Sequence, residues 1–508
     1  MLSKVKSLAL SGLKGYAVSV EADIHPGLPA FETVGLPDAA VRESKERVRS
    51  ALKNSGYGYP ADRIVINLSP ADTKKEGALY DLPIALGLLC ASGQAEGGGL
   101  SEFAVLGELS LDGSLVRING LLPLLISARE AGIKKFIVPA ANAVEAGYIH
   151  GTEVYAAGTL REAADLISKK PGFSPVKRSA YRPESAQSAQ DFCFIKGQAA
   201  AKRALEIAAA GAHNVLLSGP PGSGKTMLSK SLISILPPLT FDEALEVTKI
   251  HSVSGELDPA LGIVSSRPFR SPHHTATTPS LAGGGKNVRP GEISMAHLGV
   301  LYLDEMPEYS RSALESLRQP MEDGRVTISR ASGTVEYPAR FMLAASMNPC
   351  PCGNFGASEK DCRCTPNEIK RYLARISGPL LDRIDLHAEA DSVSFEHMSA
   401  PEHEEPSSAV RQRVERARQV QRQRFEGTGI RCNAEMSTQL CAEHCALGGE
   451  ASKLLKRAFD ALGLSARGYT RVLKVARTIA DLSGSSEVQS SHIAEAVQYR
   501  SPDRKFVL

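Results

Sequence analysis

Over residues 1–170, short strand-like apolar runs alternate with helical patterns. "RIVINL" (Arg63–Leu68) and "KFIVPA" (Lys135–Ala140) predict buried strands, and "DAAVRESKERVRSALKNSG" predicts an amphipathic helix closed by glycine. The stretch Lys169–Gln190 is rich in Pro, Ser, Gln and Arg and has no period, which predicts a linker. A second α/β pattern begins at Phe192. From about Pro401 the chain turns mostly helical, in pieces at Ser407–Phe425, Glu450–Leu464 and Ala466–Leu482. The expected domains are therefore 1–170, a linker over 171–191, an α/β core over 192–400 and a helical domain over 401–508. No internal repeat interrupts this order.

Length supports several domains, because 508 residues exceed what one compact core holds. A content of 43% hydrophobic and 23% charged residues is ordinary for a soluble globular protein. Net charge is +3, too little for a purely electrostatic DNA binder, so any nucleic-acid contact must come from local basic patches. No apolar run reaches membrane-span length, and the start "MLSKVKSLALSGLKGYAVSV" is too broken for a signal peptide. The expectation is a cytoplasmic protein without a membrane partner, whose nine cysteines are reduced.

Candidate chemistry concentrates in the second α/β pattern. "GPPGSGKT" places Gly219, Pro220, Pro221, Gly222, Ser223, Gly224, Lys225 and Thr226 between a short apolar run and a helical one. Strand, glycine-rich loop and helix is the context of a phosphate-binding loop. Gly222 and Gly224 let backbone N–H groups turn inward, and the helix N-terminus adds positive dipole. Lys225 is expected to neutralise the β/γ-phosphates of ATP, and Thr226 to offer a hydroxyl to Mg²⁺. "GVLYLDE" then puts Asp304 and Glu305 at the C-terminal end of a buried strand, where open α/β sheets bind ligands. There Asp304 would hold Mg²⁺ through water and Glu305 would polarise the attacking water; two solvated acids at a strand end are the alternative. Asn348 leaves the next apolar run, "FMLAASMNP", placed to orient water or touch the γ-phosphate. Arg383 lies between Asp382 and Asp385, as a transition-state arginine or as a surface ion pair.

In this order, loop, strand-Asp-Glu, strand-Asn and late arginine resemble an AAA+ ATPase. "RPFRSPHHTATTPSLAGGGKNVRPGEISMAHLGVLYLDEMPEYSRSALESLRQPMEDGRVTISR" resembles the magnesium-chelatase-like branch, and the whole chain resembles its YifB/ComM group. The resemblance implies an AAA+ P-loop ATPase core with a parallel sheet, a C-terminal helical lid and a homo-oligomeric ring, a hexamer. Each site would lie at a subunit boundary, with Arg383 acting in trans. In "LSARGYTR", Arg467 best matches the second sensor arginine, with Arg471 as the alternative; ordinary helix-surface charges are the plain reading of both.

Two segments have no task in nucleotide binding. "SLAGGGKNVRPGE" (Ser280–Glu292) describes a basic, glycine-rich loop carrying Lys286 and Arg289. "GRVTISRASGTVEYPARF" (Gly324–Phe341) has hairpin chemistry, with Arg330 near its tip. In related ring helicases, insertions here face the pore and touch DNA; solvated surface loops are the alternative. The helix Ser407–Phe425 carries Arg411, Arg413, Arg416, Arg418, Arg422 and Arg424 opposite an apolar stripe. Its basic side reads as a solvated face, or else as a DNA or subunit contact.

"CPCGNFGASEKDCRC" gathers Cys350, Cys352, Cys362 and Cys364. Four thiolates suit a structural Zn²⁺, although C-x-C pairs are tighter than the usual C-x₂-C, and free thiols are the alternative. Cys90, Cys193, Cys432, Cys441 and Cys445 read as packing residues. The N-terminal part resembles the α/β protease domain of Lon (S5-type) over "INLSPADTKKEGALYDLPIALGLL" and "GELSLDGSLVRINGLLPLLISAREAGIKKFIVP". Leu79 falls where the family's serine belongs, and Leu124, within one or two residues, where its lysine belongs. Neither can attack or accept a proton, and nothing pairs the nearby Ser69 with Lys74 or Lys75, so the expectation is a peptidase-inactive domain that docks subunits or DNA.

The combined expectation is a Mg-ATP-driven ring motor of helicase or branch-migration type, acting on single-stranded or branched DNA beside recombination proteins. A chelatase-like ATPase that remodels a protein partner is the rival class, and an ATP-dependent peptidase the second.

Overall fold

A computed structural model describes residues 1–184, 190–285, 288–330, 333–356, 361–391 and 404–500, with Arg330 and Gly333 described by backbone alone. The chain forms two compact units: Met1–Arg182 with Phe241–Ser265, and Pro183–Thr240 with Ser266–Leu508.

The first unit is built on a seven-stranded mixed sheet. Its strand order is Ala30–Val34, Arg63–Ser69, Lys14–His25, Leu2–Ser11, Phe103–Val105, Lys135–Pro139, Glu153–Ala157. Arg63–Ser69 buries alternate residues, as a strand with one covered face must, whereas Lys135–Pro139 is buried almost throughout. The expected amphipathic helix runs Ala39–Asn54 and is capped by Asp38, whose carboxylate accepts from the Val41 N–H. The residues that opened the predicted linker are tied down: Val176 N–H donates to Val154 and Ser179 N–H to Gly147. Leu79 and Leu124 pack into one apolar cluster.

The inserted segment Phe241–Ser265, which the sequence pattern left within the 192–400 stretch, packs through its helix Phe241–Ser254 on the helix Leu121–Glu130. A buried polar cluster fixes it. Glu145 accepts from the Ser252 hydroxyl, the Leu122 N–H and Asn142 Nδ2, and Ser252 also meets Gly120 N–H. Burial raises the Glu145 carboxyl above its ordinary value despite those donors.

The second unit carries a five-stranded, all-parallel sheet in the order Phe269–Arg270, Val300–Leu303, Met342–Met347, Val215–Ser218, Leu386–Glu389. Central strands of such a sheet are covered on both faces, and Val300–Leu303 and Met342–Met347 are buried throughout. The helices Ala199–Gly211 and Lys225–Ile235 pack under Ser407–Arg424, and Val410, Val414, Ala417, Val472 and Ile479 join the same apolar core as the sheet.

The basic helix is a correction to the solvated-face reading. Arg413 pairs with Glu206 and Glu405, Arg418 donates to the Ala209 carbonyl, and Arg424 makes a two-pronged pair with Asp481. These arginines fasten the helix to its neighbours, while Arg416 and Arg422 remain exposed. Cys432, Cys441 and Cys445 are buried packing residues. Among the described residues, no helix is long and apolar enough to cross a membrane.

Candidate functional site

Three neighbouring parallel strands end at one place. Val215–Ser218 runs into the glycine loop, Val300–Leu303 into Asp304 and Glu305, and Met342–Met347 into Asn348. Gly222 and Gly224 both adopt φ of +82°, a region that residues with a side chain rarely occupy. Gly224 caps the helix Lys225–Ile235. Lys225 Nζ donates to the Gly219 and Pro220 carbonyls at 2.8 Å and to Asn348 Oδ1 at 3.2 Å. Burial lowers its ammonium pKa, with Asp304 and Glu305 opposing that shift. Thr226 Oγ1 lies 3.1 Å from Asp304 Oδ2. The structure thus brings Lys225, Thr226, Asp304 and Asn348 together, with Glu305 adjoining.

Asp304 is held by hydroxyls. Burial pushes its carboxyl up, but bonds from Ser346, Tyr302 and Thr226 outweigh it and leave the pKa below the ordinary value. Ser346 uses its full capacity: its O–H donates to Asp304, and its oxygen accepts from Tyr302 Oη at 3.2 Å and the Glu305 N–H at 3.3 Å. Glu305 is exposed and left-handed, φ +49°, an uncommon state for a residue with a side chain. A hydroxyl and a carboxylate side by side offer the hard oxygen ligands that Mg²⁺ takes, so Thr226 and Asp304 fit that ion.

The arginines fall into two groups. Arg383 is buried and pairs at 2.7 Å with Glu322, not with the acids that flank it in sequence. Arg467, which is exposed, meets the same Glu322 oxygen at 3.0 Å. Arg471 instead bonds the buried Asp385 and the Arg383 carbonyl. Burial would raise the Asp385 carboxyl, yet Arg471 holds it well below the usual carboxylate range. The geometry therefore places Arg467 beside Arg383 and leaves Arg471 fastening the fold.

Both loop segments are hairpins. Gly283–Gly284 pairs with Arg289–Pro290, and Arg325–Arg330 with Gly333–Pro338 in the register Arg330↔Gly333. They touch: Tyr337 Oη donates to the Val288 carbonyl at 2.7 Å. Arg289 is exposed. Lys286 lies outside the described residues, and the description of Arg330 stops at its backbone.

The Sγ atoms of Cys350, Cys352, Cys362 and Cys364 all lie within 4.8 Å of one another. Three of the separations are 3.4, 3.6 and 3.7 Å. A tetrahedron with Zn–S of about 2.3 Å has edges of about 3.8 Å, so the spacing fits zinc. Backbone N–H groups of Asn354 and Arg363 aim at Cys352 and lower its thiol, while the neighbouring sulfurs push the Cys362 and Cys364 thiols up.

The sequence model described as "Magnesium chelatase, subunit ChlI" matches residues 191–398, and those described as "Subunit ChlI of Mg-chelatase" and "Magnesium chelatase, subunit ChlI C-terminal" match 20–142 and 404–500. Competence protein ComM of Haemophilus influenzae is 41% identical over 504 residues, covering 98% of this chain and 97% of that protein. The chain belongs to the YifB/ComM family of magnesium-chelatase-like proteins. The uncharacterized protein YifB of Escherichia coli is 42% identical over 507 residues, covering 100% of this chain and 98% of its own length. The magnesium-chelatase 38 kDa subunit of Rhodobacter capsulatus is 28% identical over 177 residues, 31% of this chain and 50% of that protein.

Within this family member, sequence reasoning passed over Ser346, Glu322 and Gln198. Ser346 carried a faint signal: a hydroxyl inside an otherwise apolar strand, two residues before Asn348 and so on its side of the sheet. Gln198 Nε2 donates to the Ser223 and Asp391 carbonyls and steadies the loop from outside. Glu322 gave no sequence signal, since its partners lie some sixty and some one hundred and forty-five residues away, at Arg383 and Arg467.

Proposed function

We propose that this chain is a Mg-ATPase of the AAA+ type that works as a ring-shaped DNA motor. The observation that carries the ATPase is the meeting of Thr226 and Asp304 at 3.1 Å, with Lys225 held against Asn348. The turned-in loop binds the phosphates, and Lys225 exchanges its carbonyl partners for phosphate oxygens. Thr226 and Asp304 would hold Mg²⁺, which supplies charge neutralisation on the transferred phosphoryl group. Glu305 accepts the proton of the attacking water, and Ser346 fixes the backbone that presents it. Arg383 and Arg467, gathered on one carboxylate, serve as a paired anion clamp; the γ-phosphate of a neighbouring subunit would displace Glu322 from them.

DNA is the substrate because two adjoining hairpins present Arg289, with Arg330 and Lys286 in the same segments. The competence name of the 41% identical relative favours a role in recombining incoming DNA. The first unit reads as an inactive Lon-like domain for docking, the C-terminal helices as the lid, and the four cysteines as a zinc site. Replacing Lys286, Arg289 and Arg330 together with alanine is expected to cut affinity for forked DNA by roughly tenfold or more and flatten its salt dependence. Unchanged DNA binding by fluorescence anisotropy would show that the hairpins do not grip DNA. DNA-independent ATPase with full activity on a protein client would favour the remodelling reading instead.

A further inference from the structure

The cysteine loop touches the phosphate loop. Gly353, between Cys352 and Cys362, has φ of +81°, and a Cβ built there would lie 2.4 Å from Pro221 Cδ and 2.6 Å from its Cγ. Pro221 is the residue immediately before Gly222, where the loop makes its left-handed turn. The other end of the cysteine loop is tied to the same place: Cys350 is buried and follows Asn348 by two residues, and Asn348 accepts from Lys225. The turn after Cys350 is closed by Gly353 N–H bonding the Cys350 carbonyl. Thiols that draw the turn together therefore also set where Pro221 and Asn348 stand.

We propose that a Zn²⁺ held by Cys350, Cys352, Cys362 and Cys364 is a strut for the nucleotide site, fixing the phosphate loop through the Gly353–Pro221 contact and the Cys350–Asn348 connection. This inference rests on the nucleotide site proposed above and adds a second ligand whose binding is coupled to that of ATP. Metal loss frees a loop of four mutually repelling or protonated sulfurs. The support behind Pro221 then goes, and the N–H groups that cradle phosphate lose their fixed positions. Coupling of this kind is reciprocal, so bound nucleotide should also slow zinc release.

The test uses the full-length protein, zinc content by elemental analysis and the dissociation constant of a non-hydrolysable ATP analogue. Wild type is expected to hold about one zinc per chain. Gly353→Ala is expected to keep that zinc yet weaken nucleotide binding by about tenfold, because the loop is displaced by a clash its ligands cannot relieve. Gly356→Ala is the matched control: it carries a similar left-handed φ of +77° but has no described residue within 4 Å of its Cβ, so its nucleotide affinity should match wild type. Wild type stripped with a mercurial and chelator should weaken in parallel and recover when zinc is restored, a readout that does not depend on any variant folding. Zinc-loaded Gly353→Ala binding nucleotide as tightly as Gly356→Ala, or stripped protein binding as tightly as loaded protein, would overturn the coupling while leaving the zinc site standing. A chain that neither copurifies with zinc nor takes it up would refute the strut outright. Wild type that binds zinc but no nucleotide would refute the site on which the inference rests, and the inference with it.

Discussion

One hydroxyl organises the acids of the proposed hydrolytic site. Ser346 donates its O–H to Asp304 and accepts the Glu305 N–H, so it sets the carboxylate that would hold the ion and the strained backbone that presents the base. Ser346→Ala is therefore expected to lower kcat by about 10–100-fold with ATP affinity little changed, as measured by steady-state turnover beside nucleotide binding. A fall in affinity with kcat preserved would mean that Ser346 only shapes the pocket. The residues in contiguous motifs, Gly219–Thr226 and Asp304–Glu305, were legible in the sequence because their chemistry is written in adjacent letters. Ser346 and Glu322 were not, since each gains its task only when distant strands and helices converge.

Elements follow the same division. The Arg325–Pro338 hairpin was readable from Ala-Ser-Gly between two β-branched runs, because turn chemistry is local. The basic helix Ser407–Arg424 was misread for the opposite reason: a sequence shows cations but not the carbonyls and carboxylates that meet them. Two of its arginines now separate cleanly. Arg424 grips Asp481, whose side chain is fully buried, whereas Arg422 is exposed. Arg424→Ala is expected to destabilise the second unit by about 2–3 kcal/mol, softened because Arg477 still pairs with Asp481, while Arg422→Ala should stay within about 0.5 kcal/mol. Urea denaturation of both variants checks this; equal losses would contradict the structural assignment of the helix.

At the scale of the molecule, the two-unit division was only partly legible. The switch of pattern near Phe192 announced a second α/β unit, but nothing local marked Phe241–Ser265 as belonging with the first, because its anchor is the buried Glu145–Ser252 bond across 107 residues. The helices after 404 looked like a separate domain, yet their buried residues join the same apolar core as the parallel sheet. ATP turned over at Lys225, Asp304 and Glu305 is, in the proposed function, spent on DNA. The most direct measurement follows ATP hydrolysis and strand displacement in one reaction on forked DNA, for wild type, Lys225→Ala and Glu305→Gln. Wild type is expected to show DNA-stimulated turnover with displaced strand. Lys225→Ala should bind nucleotide poorly, and Glu305→Gln should bind it but turn over about 10²–10⁴-fold more slowly, with neither displacing strand. Turnover indifferent to DNA, with no strand displaced or branch moved by the wild type, would contradict it.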